Sequence, residues 1–224
     1  MVDTICAGEK EEIILKIKSK YWQKTHKYGI NIPKSVAKAY VIDRENGNSL
    51  WDDTIREEMN KIKGAMRIFN GDVNEFKGYQ EITGQIIFDV KLGEGFRRKE
   101  PFVGDGQKTE TPSSVTYSTV VSRDSIRIIL MIAALNELDI QGADIENAYL
   151  TAPCGEKVWM RGGIEFGELA GQLLINEKAL YGIKSSGAAF RAFLDETFDR
   201  MCFTSSVADP DVWLCPTVKH DGKQ

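Results

Sequence analysis

The chain has 224 residues, 42% of them hydrophobic and 28% charged, with a net charge of −4. That composition supports a buried core in one or two domains and excludes a disordered or fibrous polymer. A uniformly basic nucleic-acid-binding surface is excluded too, so any such binding has to come from local patches.

Ile13, Ile14, Ile17 and Tyr21 recur at helical spacing with Lys16, Lys18, Lys20 and Lys24 between them, which predicts a helix over 8–24. Gly29, Pro33 and Asn46-Gly47-Asn48 mark the following stretch as loop. Residues 1–48 thus read as an N-terminal helix and linker, and 49–224 as the main domain. A second helix is expected from near Ser49, with Trp51, Ile55, Met59 and Ile62 along one face. From Phe69 to Ser122, scattered glycines and β-prone runs such as Gln85–Val90 predict strands and loops. Gly93 to Pro112 is polar and glycine-rich and predicts a mobile surface loop.

Ser122 has the chemistry of a helix N-cap, with Asp124 favourably placed in the first turn. This helix is expected to reach about Leu138. Ile126, Ile128, Ile129, Leu130, Ile132 and Leu135 leave it few polar faces, which predicts burial on most sides. A short strand, Ile140 to Ile145, should then lead into a turn and a brief helix. Val158–Met160 and Leu173–Ile175 are further strand candidates. Ala189, Phe190, Phe193, Leu194, Thr197, Phe198 and Met201 give the clearest amphipathic helix, starting near Ser185 or Ser186. Asp211–Leu214 reads as a strand and His220-Asp221-Gly222 as a hairpin turn. The chain is therefore expected to stop inside a hairpin.

The four cysteines, Cys6, Cys154, Cys202 and Cys215, are widely spaced, and the histidines are His26 and His220. No zinc spacing results, and reduced, mostly buried thiols are expected, in a cytoplasmic or nuclear setting. The start lacks a signal peptide, and the apolar run from Ile126 to Leu135 is too short to span a bilayer, so no membrane partner is expected.

Chemistry concentrates in Ala143-Asp144-Ile145-Glu146-Asn147-Ala148-Tyr149-Leu150. A carboxylate ends an apolar run, and an aromatic follows five residues later. Phosphoryl transfer uses two Mg²⁺ ions about 4 Å apart, and a strand-end Asp can bridge both through hard oxygen ligands. Taken alone, an Asp after a strand is more often a turn or cap residue, and a lone Tyr more often belongs to a core.

Asp144 to Leu150 resembles the first catalytic motif of reverse transcriptases, Asp-x-x-x-Ala-aromatic-Leu. Ala179-Leu180-Tyr181-Gly182-Ile183-Lys184 resembles the Leu-Tyr-Gly-Leu-Lys signature of copia-type retrotransposon polymerases. Between them, Glu156-Lys157-Val158-Trp159-Met160 is similar to that family's Glu-Val-Tyr-Met segment. Ser122-Arg123-Asp124-Ser125-Ile126-Arg127 resembles its Ser-x-Arg helix, and Asp209-Pro210-Asp211-Val212-Trp213 its Asp-x-x-Leu-Phe strand. The motifs fall in the family's order.

The resemblance implies an α+β fold: fingers and a partial palm of a right-hand polymerase, with an antiparallel sheet flanked by helices. It implies RNA-directed DNA polymerisation in the intact parent, on an RNA template, a DNA primer and deoxynucleoside triphosphates, with Mg²⁺ or Mn²⁺. Asp144 would ligate metal through its carboxylate and Ile145 through its carbonyl. Tyr149 would select deoxynucleotides. Tyr181, Gly182 and Lys184 would meet template and primer. Arg97, Arg98 and Lys99 would correspond to the basic finger segment, with Arg98 and Lys99 on the incoming phosphates; an ordinary solvated charge run is the alternative for these three. The other polyprotein segments would be partners.

Three departures stand out. Lys99 is followed by Glu100-Pro101-Phe102 where the family places an arginine, and Glu100 is expected to repel a phosphate. Ser185 stands where Gln is usual. No aromatic-x-Asp-Asp motif is present, and Asp52-Asp53 falls on an expected helix. The chain is thus expected to be a truncated and inactive fragment, or alternatively a non-catalytic, nucleic-acid-binding remnant.

Overall fold

A computed structural model describes residues 25–92, 96–110, 112 and 116–215. The helix expected over 8–24, Cys6, and the turn expected at His220–Gly222 lie outside the described residues. The fold is mixed α/β, with short strands in small sheets and helices between them. It divides into two compact units.

The first unit gathers the described residues of Met1–Lys61, Gln85–Val103 and Gly162–Gly171. A small antiparallel ribbon pairs β1 (His26–Lys27) with β2 (Ile30–Asn31). Helix α1 (Val36–Asn46) follows, in a stretch expected to be loop. The Ser35 hydroxyl accepts the Lys38 amide at its start, and Gly47, at φ 64°, closes it. Both caps are sequence signals. The helix escapes a periodicity search because it buries only Val36, Ala39, Ile42 and Asp43.

Helix α2 (Leu50–Lys63) keeps the expected face, with Trp51, Ile55, Met59 and Ile62 all buried. Asp43 caps it from the last turn of α1, its carboxylate accepting the Trp51 and Asp52 amides at 2.9 Å each. Two amides that the helix itself cannot satisfy are paired in this way.

Strand β5 (Gly84–Ile86) pairs with β8 (Phe102–Gly104), and β6 (Asp89–Val90) with β7 (Arg98–Lys99). The expectation of a mobile loop over 93–112 is therefore corrected. Its described residues hold β7, β8 and a 3-10 turn at Gly106–Lys108, and they bury Glu100, Phe102, Gly104, Gly106 and Thr109. One aromatic anchors the segment: Phe102 packs edge-on against Phe166, with ring centroids 5.5 Å apart.

The second unit gathers the described residues of Ile62–Gly84, Gly104–Arg161 and Gln172–Gln224. Its centre is a four-stranded sheet in the order β3 (Met66–Phe69), β10 (Leu173–Asn176), β9 (Val158–Arg161), β4 (Gln80–Glu81). β10 runs antiparallel to both neighbours, and β4 lies parallel to β9. Both expected strands are present in it. Consecutive residues Val158, Trp159 and Met160 are buried, as are Leu174 and Ile175, because layers cover both faces. Phe76 stacks on Trp159 at 4.8 Å.

Helix α3 (Arg123–Leu135) starts as expected, with the Ser122 hydroxyl accepting the Ser125 amide and Asp124 in the first turn. Its expected burial is corrected. Ile126, Ile128, Ile129, Leu130, Met131, Ile132 and Leu135 are between 42% and 76% exposed. The strand expected at Ile140–Ile145 is irregular, exposed backbone instead. The two corrections share a cause. A strand needs a hydrogen-bonded neighbour and an apolar helix needs a facing layer, and the described residues supply neither there.

Helix α4 (Ala148–Thr151) is the expected brief helix, and α5 (Ser186–Arg200) the expected amphipathic one. β11 (Thr204–Ser205) pairs with β12 (Trp213–Leu214), so the strand begins two residues later than expected. Arg191 on α5 gathers its surroundings. It donates to the Thr119 hydroxyl at 2.6 Å and the Pro210 carbonyl at 3.0 Å, and it pairs with Asp195 and Asp211. The thiols are less buried than expected: Cys154 is half-buried, while Cys202 and Cys215 are exposed.

Candidate functional site

In the second unit, two segments far apart in sequence meet at a pair of tyrosines. Tyr149, on α4, meets Tyr181 edge-on, with centroids 4.6 Å apart and rings inclined by 63°. Phe190 of α5 touches the other side of Tyr149 at 6.0 Å. Both contacts fall in the range where ring edges meet ring faces favourably. Tyr149 is half-buried and Tyr181 is 48% exposed, so the pair forms a ledge with one wet edge.

The turn carrying Tyr181 is held from its backbone. The Gly104 amide donates to the Tyr181 carbonyl at 2.7 Å. Gly182 adopts φ 88°, a left-handed conformation that favours glycine. Gly106 presses so near that a Cβ there would stand 2.5 Å from the Gly182 carbonyl oxygen. The Lys184 ammonium donates to the Thr109 carbonyl at 2.5 Å, which gives that charge a use inside the unit. The next amide, of Ser185, donates to a Glu156 carboxylate oxygen at 2.7 Å. A carboxylate at the start of α5 also complements the helix dipole.

Asp144 and Ile145 lie on the irregular segment before α4, both exposed. Among the described residues, Asp144 has no hydrogen-bond or ion-pair partner, and no group of three or more His, Cys, Asp or Glu side chains is placed to hold a metal ion. Mg²⁺ demands a near-octahedral set of oxygens. One carboxylate and one neighbouring carbonyl do not make that set, so these residues by themselves do not fit a resident ion.

Arg98 and Lys99 belong to the first unit, on β7. The Arg98 guanidinium lies over the Trp51 ring at 5.0 Å, and its Nε is buried without an acceptor. Arg97 and Lys99 are exposed. Glu100 corrects the expected repulsion of phosphate. It is only 4% exposed, and burial, working against a Thr54 hydrogen bond and the Arg98 charge and helped by Glu58 and Glu57, pushes its carboxyl up to about 7. Near neutrality much of it carries no charge.

Several positioning residues were not singled out from sequence. Gly106 and Thr109 give no motif signal, because their roles depend on the approach of the 182–184 backbone. Phe190 was legible only as part of an apolar helix face.

Residues 73–219, well over half of the chain, match the family model described as reverse transcriptase (RNA-dependent DNA polymerase), and the chain belongs to this family. It is of the copia type. The Gag-Pol polyprotein of transposon Ty1-BL from Saccharomyces cerevisiae is 27% identical over 144 residues, a stretch covering 64% of this chain and 8% of that relative's length. The chain thus corresponds to a small part of the polyprotein it resembles. No solved structure matches it.

Proposed function

We propose that this chain frames the nucleotide site of an RNA-directed DNA polymerase of the right-hand type, as fingers and part of a palm. In this reading Asp144 contributes one carboxylate and Ile145 one carbonyl to a divalent-ion site, Mg²⁺ or Mn²⁺, whose remaining ligands are not among the described residues. Tyr149 bears on the sugar of the incoming deoxynucleotide. Tyr181, Gly182 and Lys184 line the template and primer side, and Arg98 and Lys99 serve the triphosphate. The RNA template, the DNA primer and the other polyprotein segments are the partners.

The observation that carries this reading is the 4.6 Å contact between Tyr149 and Tyr181. It joins the Asp-x-x-x-Ala-aromatic-Leu segment to the Leu-Tyr-Gly-x-Lys segment, as a site made from both motifs requires. The first test is primer extension with Mg²⁺ on the chain alone. No template-dependent synthesis is expected, because one carboxylate cannot position two ions; extension above background would refute this. The second test uses a longer polyprotein piece that does extend a primer. There Asp144→Asn should lower kcat about a hundredfold or more, and undiminished extension would remove Asp144 from the site.

The single acidic ligand also favours a second reading, a non-catalytic grip on RNA–DNA duplexes through Arg97, Arg98 and Lys99. Duplex affinity that falls steeply with salt, without synthesis, is its signature.

A further inference from the structure

In the first unit, β7, β8 and α2 enclose a carboxyl group that lacks a dedicated counterion. Glu100 is 4% exposed, and its Oε1 has no hydrogen-bond partner. The charged groups facing it are Arg98 from β7 and Glu57 and Glu58 from α2. Arg98 is an indifferent counterion, because its guanidinium rests over Trp51 and its Nε is itself buried and unpartnered. Glu58 is committed elsewhere, one of its carboxylate oxygens accepting the Phe102 amide at 3.1 Å.

Thr54 is the polar neighbour on α2, hydrogen-bonded to the Glu100 side chain. Its hydroxyl has a single proton, and the Leu50 and Trp51 carbonyls stand 3.0 and 3.1 Å away to receive it. Shared with those carbonyls, that proton favours a Glu100 carboxylate by less than burial disfavours it. A neutral carboxyl, with one oxygen left unpartnered, costs far less to bury than an ionised one.

We infer that Glu100 is a proton-dependent latch: protonated, it seats β7 and β8 against α2, and ionised, it leaves the interior and lets the β6–β7 hairpin bearing Arg97, Arg98 and Lys99 open. Burial raises its carboxyl from the ordinary 4.5 to about 7 in the closed state. Opening returns it to water and to the ordinary value. The closed state therefore holds the proton more tightly, and each pH unit between about 4.5 and about 7 favours opening about tenfold. Above about 7 both states are ionised and the dependence levels off.

Amide hydrogen exchange on the full chain, corrected for intrinsic base catalysis, reads this opening at three amides. Those of Lys91, Ile87 and Phe102 donate to the Arg97 carbonyl, the Pro101 carbonyl and Glu58. Protection at all three should fall about tenfold per pH unit up to about pH 7 and then level, while Glu100→Gln should be flat over the same window. Glu57→Gln removes a repelling carboxylate at an exposed position and should move the levelling point to lower pH. That variant keeps the test decisive should Glu100→Gln fail to fold. A flat wild-type profile, an unchanged slope in Glu100→Gln, or an unmoved levelling point in Glu57→Gln overturns the latch.

Discussion

Asp43 shows how one side chain can set the start of a helix it does not belong to. It is 4% exposed, and its carboxylate takes both the Trp51 and the Asp52 amides. Truncation to Ala would leave two amides without an acceptor, one of them on a fully buried tryptophan. Asp43→Ala should therefore cost about 1–3 kcal/mol, whereas Asp43→Asn, which keeps an acceptor, should cost less. Urea denaturation of the two variants measures the difference, and equal midpoints would mean that water replaces the carboxylate. Nothing in the sequence around Asp43 announces this role, because its partners lie eight and nine residues on. The Ser35 and Gly47 caps of α1 are local signals by contrast, although the stretch they bound was expected to be loop. The same contrast separates Gly182, marked by its motif, from Gly106, which has to be glycine only because the Gly182 carbonyl comes so near.

At the scale of elements, periodicity was a good guide wherever a described layer faces the apolar stripe. Helix α2 buries the predicted Trp51, Ile55, Met59 and Ile62, and β9 and β10 occupy the predicted runs. Where no such layer is described, the same logic misled: α3 has the composition of a buried helix, yet most of its apolar residues face solvent. The strand read at Ile140–Ile145 failed for the same reason, since β-propensity cannot supply a pairing partner. An apolar helix exposed in this way should govern association more than stability. Ile129→Lys and Leu130→Glu, at positions 45% exposed, should change the unfolding free energy by no more than about 0.5 kcal/mol while lowering self-association. Light scattering set beside thermal unfolding checks this. A large loss of stability in either variant would show that the residue is covered in solution.

For the whole molecule, carboxyl groups with opposite shifts decide how stability follows pH. The Ser125 hydroxyl and the Ser122 amide hold Asp209 below the usual carboxylate range, and Lys108 does the same for Asp105. Groups lowered in this way stabilise the fold above their unfolded value near 3.8, and that contribution is lost as pH falls through their folded values. Glu100 works the other way. Its carboxyl is raised to about 7, so its cost grows as pH climbs from 4.5 and is complete above about 7. The two trends together place the highest thermal midpoint between about pH 4 and 5, with a decline toward neutrality that Glu100→Gln should remove while leaving the acid-side loss intact. The sequence isoelectric point of 5.4 lies close to that optimum. The chain should therefore scatter light most strongly near the pH at which it melts highest, because charge repulsion vanishes there while the apolar surface of α3 stays exposed. Thermal scans by circular dichroism from about pH 3 to 8, with scattering recorded alongside, separate the two quantities. A midpoint that rises steadily from pH 5 to 7 would contradict the sign assigned to Glu100, and with it the packing of that residue against α2. The net charge behind the scattering argument was legible in the sequence. The buried acid was not, because Glu100 reads there as an exposed, ionised neighbour of a phosphate site, and only the approach of α2 buries it.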